Sequence, residues 1–185
     1  MKKFILFLLC VCGLNTGFTI AQTLPDGEYF IKINSTGRYL AIEGVSHENG
    51  ARLVQWDFAN QRNHKFILKH LGQNTYSMQA VHSKKFLSAE GASPKAGAAV
   101  VQWDNVNQEN QRWLITPATN GRGYTVRCLK NNLKLVVENY QSATATPKNG
   151  SPLKLISNED LPPMVGCLCV AWSVPLSVIE CRCGL

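Results

Sequence analysis

The chain has 185 residues, room for one domain with a sizeable core or for two small ones. Apolar residues make up 45% and charged residues 17%, which excludes wholesale disorder; nothing points to collagen, a coiled coil or a polytopic membrane protein. A formal charge of +7 allows anionic partners such as nucleic acid or membrane headgroups, and seven cysteines is an odd number that needs an explanation.

Residues 1–21 read as a secretory signal. Lys2 and Lys3 form the positive start, Phe4 to Cys12 is an unbroken apolar run too short to span a bilayer, and Thr19-Ile20-Ala21 places small residues for cleavage after Ala21. Removing it takes away two lysines, so 17 basic residues face 12 acidic ones and the charge falls to +5. Cys10 and Cys12 leave as well. Cys128, Cys167, Cys169, Cys181 and Cys183 remain, in an exported chain where disulfides are possible.

The rest is organised by a repeat. Tyr29, Tyr76 and Tyr124, spaced by 47 and 48 residues, each open an alternating strand-like run. Eleven residues after each comes a leucine that opens a matching pentamer: Leu40-Ala41-Ile42-Glu43-Gly44, Leu87-Ser88-Ala89-Glu90-Gly91 and Leu135-Val136-Val137-Glu138-Asn139. The first two units continue to match, from Gly50 to Asp57 and from Gly97 to Asp104, and ten residues past Trp56 and Trp103 stand Phe66 and Trp113. Each unit reads as four short strands joined by Gly, Asn and Ser turns. Such strands cannot bury a face alone, so the three units share one core, most economically as a closed threefold barrel with a hairpin cap. Propeller blades are the weaker alternative, because propellers need four or more.

The chain resembles the ricin B-type β-trefoil lectins. The residues that carry the resemblance are Val-Gln-Trp-Asp at 54–57 and 101–104, Asn-Gln-Arg-Trp at 110–113, which matches the family's Gln-x-Trp signature, and the turn Ser35-Thr36-Gly37-Arg38-Tyr39-Leu40. The resemblance implies an all-β chain, a β-trefoil with pseudo-threefold symmetry whose lobes span about 24–70, 71–118 and 119–160 within a domain of residues 22–160. It also implies one shallow sugar pocket per lobe, built from a carboxylate, an aromatic platform and an amide. Pyranose C–H groups pack on the negative face of an indole, and carboxylate and amide groups fix the hydroxyls.

Carried over by position, the platforms are Trp56 and Trp103, for which half-buried packing is the competing reading, and the amides Asn63 and Asn110, with Gln111 beside the second and His64 in its place in the first lobe. The family's carboxylate directly follows the strand leucine, where this chain has Ala41, Ser88 and Val136. Glu43 and Glu90, two positions later, return to the same face if the strand stays regular there; a solvated turn glutamate is the competing reading. Trp113 and Phe66 are expected in the core. Asn63, Asn110 and Gln111 have a structural reading too, bonding loop backbone, and Asp57 and Asp104 are candidate turn caps.

The third unit departs from the pattern. Glu138 to Gly150 is twelve residues against seven in the other units, and Leu155-Ile156-Ser157 stands where Gln-Trp-Asp belongs, so no sugar site is expected there. Residues 161–185 form an apolar tail framed by Cys167-Leu168-Cys169 and Cys181-Arg182-Cys183. Three readings of it stay open: it supplies the missing last strands, with Trp172 as a displaced core plug; it is a cysteine-stapled appendage; or it is non-native sequence, as after a change of reading frame or a mis-called end.

No active-site signature is present: there is no His-Glu-x-x-His, no Gly-x-Ser-x-Gly and no phosphate-binding glycine loop. No His stands at metal-ligand spacing, no cofactor is implied, and the cations are scattered, which argues against a nucleic-acid partner. The expectation is a secreted, non-enzymatic lectin that binds glycans through its first two lobes and meets membranes only through their glycans. The alternatives are a protein-binding trefoil, such as a secreted protease inhibitor acting through the insert Asn139–Asn149, and a degenerate trefoil without ligand.

Overall fold

The computed structural model describes residues 23–119, 123–138 and 147–159, together with the backbone of Leu168–Trp172. The expected signal segment, 1–21, lies outside them. In chain order the strands are β1 (Gly27–Ile33), β2 (Tyr39–Ile42), β3 (Leu53–Trp56), β4 (Lys65–Gly72), β5 (Thr75–Ala80), β6 (Phe86–Ala89), β7 (Val100–Trp103), β8 (Arg112–Pro117), β9 (Tyr124–Cys128), β10 (Lys134–Val137), β11 (Leu153–Ile156) and β12 (Leu168–Trp172). The helical elements among the described residues are single 3-10 turns, Glu43–Val45, Arg62–His64, Glu90–Ala92 and Glu109–Gln111.

Six strands close a ring. Antiparallel pairs join β1 to β4, β4 to β5, β5 to β8, β8 to β9, β9 to β12 and β12 back to β1. Closure leaves the ring no open edge. The hairpins β2–β3, β6–β7 and β10–β11 cap one end. They interlock by a cyclic set of backbone bonds, in which Gly50 N donates to Gln102 O, Gly97 N to Leu155 O and Gly150 N to Gln55 O, at 2.9, 2.7 and 2.9 Å. The three glycines have φ of 86°, 90° and 83°, a left-handed backbone that glycine adopts without steric cost.

The alternation along each strand turns one set of side chains inward. Tyr29, Phe66, Tyr76 and Trp113 fill the barrel, and Leu40, Leu87 and Leu135 seal it beneath the cap; all are fully or almost fully buried. Each buried apolar side chain of this size contributes about 1.5–3 kcal/mol. The Trp113 indole N–H, which must find an acceptor when buried, donates to Leu87 O at 3.1 Å. At the other end, the Tyr29 hydroxyl donates to Pro25 O at 2.6 Å, and Leu24 N donates to the Tyr76 hydroxyl at 2.8 Å. Burial, with Tyr76, Tyr124 and Asp26 nearby, pushes the Tyr29 pKa up to about 12.

The third lobe takes its last strand from the tail. Phe66 stands opposite Tyr29 and Trp113 opposite Tyr76, and Leu168 stands opposite Tyr124. In backbone register, Leu168 therefore holds the place of the two aromatic plugs, whereas Trp172 pairs with Tyr29 as His70 pairs with Tyr76. The side chains of Trp172 and Cys169, and the whole of Cys167, Cys181 and Cys183, lie outside the described residues. Cys128 is buried and free, opposite Trp113 on β8, and burial raises its thiol pKa.

Candidate functional site

Trp56 and Trp103 close the outer strands of the first two hairpins. The register pairs Tyr39 with Trp56 and Phe86 with Trp103. The three residues before each Trp are buried, and the Trp itself is 43% exposed in both lobes. Each ring reaches across a lobe boundary. A Cβ added at Gly150 would lie 3.7 Å from the Trp56 ring, and one at Gly50 would lie 3.8 Å from the Trp103 ring. In the third lobe the matching residue is Ile156, which is buried.

The glutamines before these tryptophans are fully buried and hold neighbouring loops. Gln102 Nε2 donates to Ser46 O and Glu48 O, both at 2.8 Å, and its Oε1 accepts from the Ser83 hydroxyl at 2.7 Å. Gln55 Nε2 donates to Lys148 O at 3.0 Å. The aspartates after them tie lobes together. Asp104 receives Lys85 Nζ at 2.6 Å and Asn49 Nδ2 at 2.7 Å, and those two donors hold its carboxyl below the usual range. Asp57 pairs in the same way with Asn149, and with Arg38 at 3.0 Å. Asn149 is the end of the third-lobe insert, so that end serves the first lobe; residues 139–146 of the insert lie outside the described residues.

Asn63, Asn110 and Gln111 are buried and engaged with backbone. Asn63 Nδ2 donates to Ile42 O at 3.0 Å. Asn110 Nδ2 reaches the Ser88 hydroxyl at 2.8 Å and Ala89 O at 3.3 Å. Gln111 braces the 104–106 loop from both ends: Nε2 donates to Asp104 O at 2.7 Å, and Oε1 accepts from Val106 N at 2.9 Å. His64, its counterpart, is buried with Nδ1 lacking a partner, and burial lowers its pKa. The Oδ1 atoms of Asn63 and Asn110 are likewise buried without a partner.

Regular strand ends one residue before each glutamate. Glu43 and Glu90 begin 3-10 turns, followed by Gly44 and Gly91 at φ of 62° and 59°. Both are exposed, so strand alternation does not carry their carboxylates back to the face of Ala41 and Ser88, which are buried. The structure thus brings Asn110 against Ser88 and Ala89, and Gln111 against Asp104 next to Trp103, and leaves Glu90 exposed at the start of its turn. Sequence reasoning did not single out Ser88 as the partner of Asn110, although it stands at the position of the family's carboxylate. Among the described residues no three His, Cys, Asp or Glu side chains gather as a metal site would require, and no helix is long and apolar enough to cross a membrane.

The family model for the ricin-type beta-trefoil lectin domain-like group matches twice, over residues 14–103 and 63–155. The chain belongs to this family. Over 77 residues it is 30% identical to the clotting factor G alpha subunit of Tachypleus tridentatus, a match covering 42% of the chain and 11% of that protein, so it spans only a tenth of that relative's length. The ricin-type fold is similar to that of ThreeFoil, a designed threefold-symmetric protein, with a TM-score of 0.69 at 25% identity, covering 78% of this chain and 98% of that one. It is also similar to the ricin B-like lectin of Macrolepiota procera, solved in complex with lactose, with a TM-score of 0.64 at 15% identity, covering 80% and 97%. These likenesses make the closed ring and its capping hairpins a β-trefoil.

Proposed function

We propose that this protein is an exported, non-enzymatic lectin that binds glycans through its first two lobes, with Trp56 and Trp103 as the platforms. The observation that carries the reading is the twice-repeated exposed indole: two tryptophans at one register position, each backed by a buried glutamine and equally open to solvent. A large exposed apolar ring kept twice at one place is a surface suited to the C–H face of a sugar. The lectin family and the lactose complex of a protein with the same fold support glycans as partners.

Asn63, Asn110 and Gln111 act in this reading as braces that fix the loops beside the platforms. Glu43 and Glu90, exposed at the first residue of their turns, are the carboxylates available to sugar hydroxyls at the rim. Ile156 in place of a third platform supports two sites rather than three. A glycan array probed with the folded exported chain tests the function: binding to a defined sugar class is expected, and silence across the array overturns it. Mass measurement of the protein recovered from the medium, against cleavage after Ala21, tests the export.

A further inference from the structure

At the seam of the first two lobes, three side chains stand in one row across three strands. Lys69 on β4 is opposite Ser77 on β5, and Ser77 is opposite Arg112 on β8. Directly opposite residues on antiparallel strands point to the same side of the sheet, with Cβ atoms about 4.5–5.5 Å apart. Two cations therefore flank one small hydroxyl on the outer wall of the barrel. The first lobe differs at this place: Phe30 stands where Ser77 does, its ring packs against Phe58 with centroids 5.0 Å apart, and Lys65 lies 5.3 Å above it. In the second lobe Asn105 replaces Phe58 and Arg112 replaces Lys65. The aromatic filling is gone, and a pocket of about 220 Å³ opens instead.

The walls of this pocket mix polar side chains with the apolar Leu71 and Phe86, and its polar groups are held in place. Asn107 sits in the left-handed region at φ 51° and accepts from an Arg112 guanidinium nitrogen at 3.1 Å, which orients the cation. The loop that carries Asn105 and Asn107 is braced from inside by Gln111. Phe86 supplies an aromatic wall, and among the described residues none of those lining the pocket is a carboxylate. Trp103, Asn110 and Glu90 do not line it, but it adjoins the platform site through Gln111, which lines it, and Phe86, which stands opposite Trp103.

We propose that this pocket binds a negatively charged sugar residue, carboxylated or sulfated, as a second subsite of the glycan ligand. Lys69 and Arg112 receive the anion, the amides of Asn105 and Asn107 both donate to and accept from hydroxyls, and Phe86 meets the C–H face. The volume lies below the roughly 300–1,000 Å³ of pockets for drug-sized ligands, so it takes one ring rather than a chain. This inference rests on the lectin reading for its ligand class.

The test is calorimetric titration of the full chain with three oligosaccharides of equal length: neutral, uronate-containing and O-sulfated. At low salt one or both acidic ligands bind about tenfold more tightly than the neutral one, and the advantage shrinks as salt is raised. Lys69→Gln and Arg112→Gln each reduce the advantage. The pair Ser77→Phe with Asn105→Phe, which reinstates the filling of the first lobe, abolishes it and spares neutral binding. Equal affinity for all three ligands, or an acidic preference unchanged in Lys69→Gln and Arg112→Gln, overturns the pocket and leaves the lectin reading standing. Failure to bind any of the three also overturns the pocket, and silence across the glycan array is what overturns the lectin reading with it.

Discussion

Asn49 and Asp104 clasp each other across the seam of the first two lobes: Asn49 Nδ2 donates to the carboxylate at 2.7 Å, and Asp104 N donates to Asn49 Oδ1 at 2.9 Å. The pair fixes the chain immediately after Trp103, and Asn149 with Asp57 does the same after Trp56. Asn49→Ala is therefore expected to leave the fold intact, lower the melting temperature slightly and loosen Trp103. Its checks are a melting curve and a red shift or broadening of tryptophan emission.

Removing a platform separates binding from folding. Trp56→Ala and Trp103→Ala expose no core, because both rings are already half open. Each is expected to weaken glycan binding by about 1–2 kcal/mol, roughly five- to thirtyfold, with melting temperature little changed. Titration calorimetry of the two single variants and the double variant checks this. Unchanged affinity in the double variant removes both residues from the site.

Ser88 stands where the family's carboxylate would be and is the partner of Asn110. Ser88→Asp puts an acceptor of full charge beside the Asn110 amide. If the missing carboxylate limits affinity, the variant binds neutral sugar several-fold more tightly, on the order of 1 kcal/mol. Comparing its glycan-array profile with that of the parent chain decides the matter.

The histidines set an acid limit. Burial lowers the pKa of His64, and burial, His47 and Arg62 together lower that of His82 against the opposing bond to Ser46 O. The fold therefore favours the neutral form of both, and each regains its ordinary value near 6.5 when unfolded. The unfolded chain thus takes up more protons below that pH, so the stability is complete above about 6.5 and falls as pH falls below it. His64→Gln, which copies Gln111, is expected to flatten that decline between roughly pH 6.5 and 5. Melting temperature against pH for the two proteins checks it.

Gly50 tests the interlocking cap. The space toward Trp103 admits a methyl group at 3.8 Å, so the cost of Gly50→Ala comes from its φ of 86°. A loss of about 1–2 kcal/mol is expected in denaturant unfolding, and a similar one for Gly97→Ala, which meets nothing within 4 Å.

Repetition made the fold legible. Tyr29, Tyr76 and Tyr124 recur at a fixed spacing because each stands near the start of a barrel strand, and Phe66 and Trp113 are identifiable as core because a barrel needs large plugs. The site was harder to read. Asn63 and Asn110 have the same letters whether they face a sugar or a backbone carbonyl, and only the fold shows their Nδ2 groups turned inward. Glu43 and Glu90 look like strand positions until the following glycine curls the chain into a turn. The last strand escaped the repeat altogether. β12 is held by backbone bonds, which any apolar segment without proline can make, so Leu168 fills a register place that the pattern assigns to an aromatic.

That ring closure has a consequence for biosynthesis. β1 leaves the ribosome well before one of its two barrel partners, β12, which is made some 140 residues later. Until then β1 and β9 each present an unpaired edge, and a nascent chain that stalls before Leu168 carries two adhesive strands rather than one finished barrel. Pairings so distant in sequence also form slowly. The stretch most foreign to the repeat is thus the one whose arrival closes the ring.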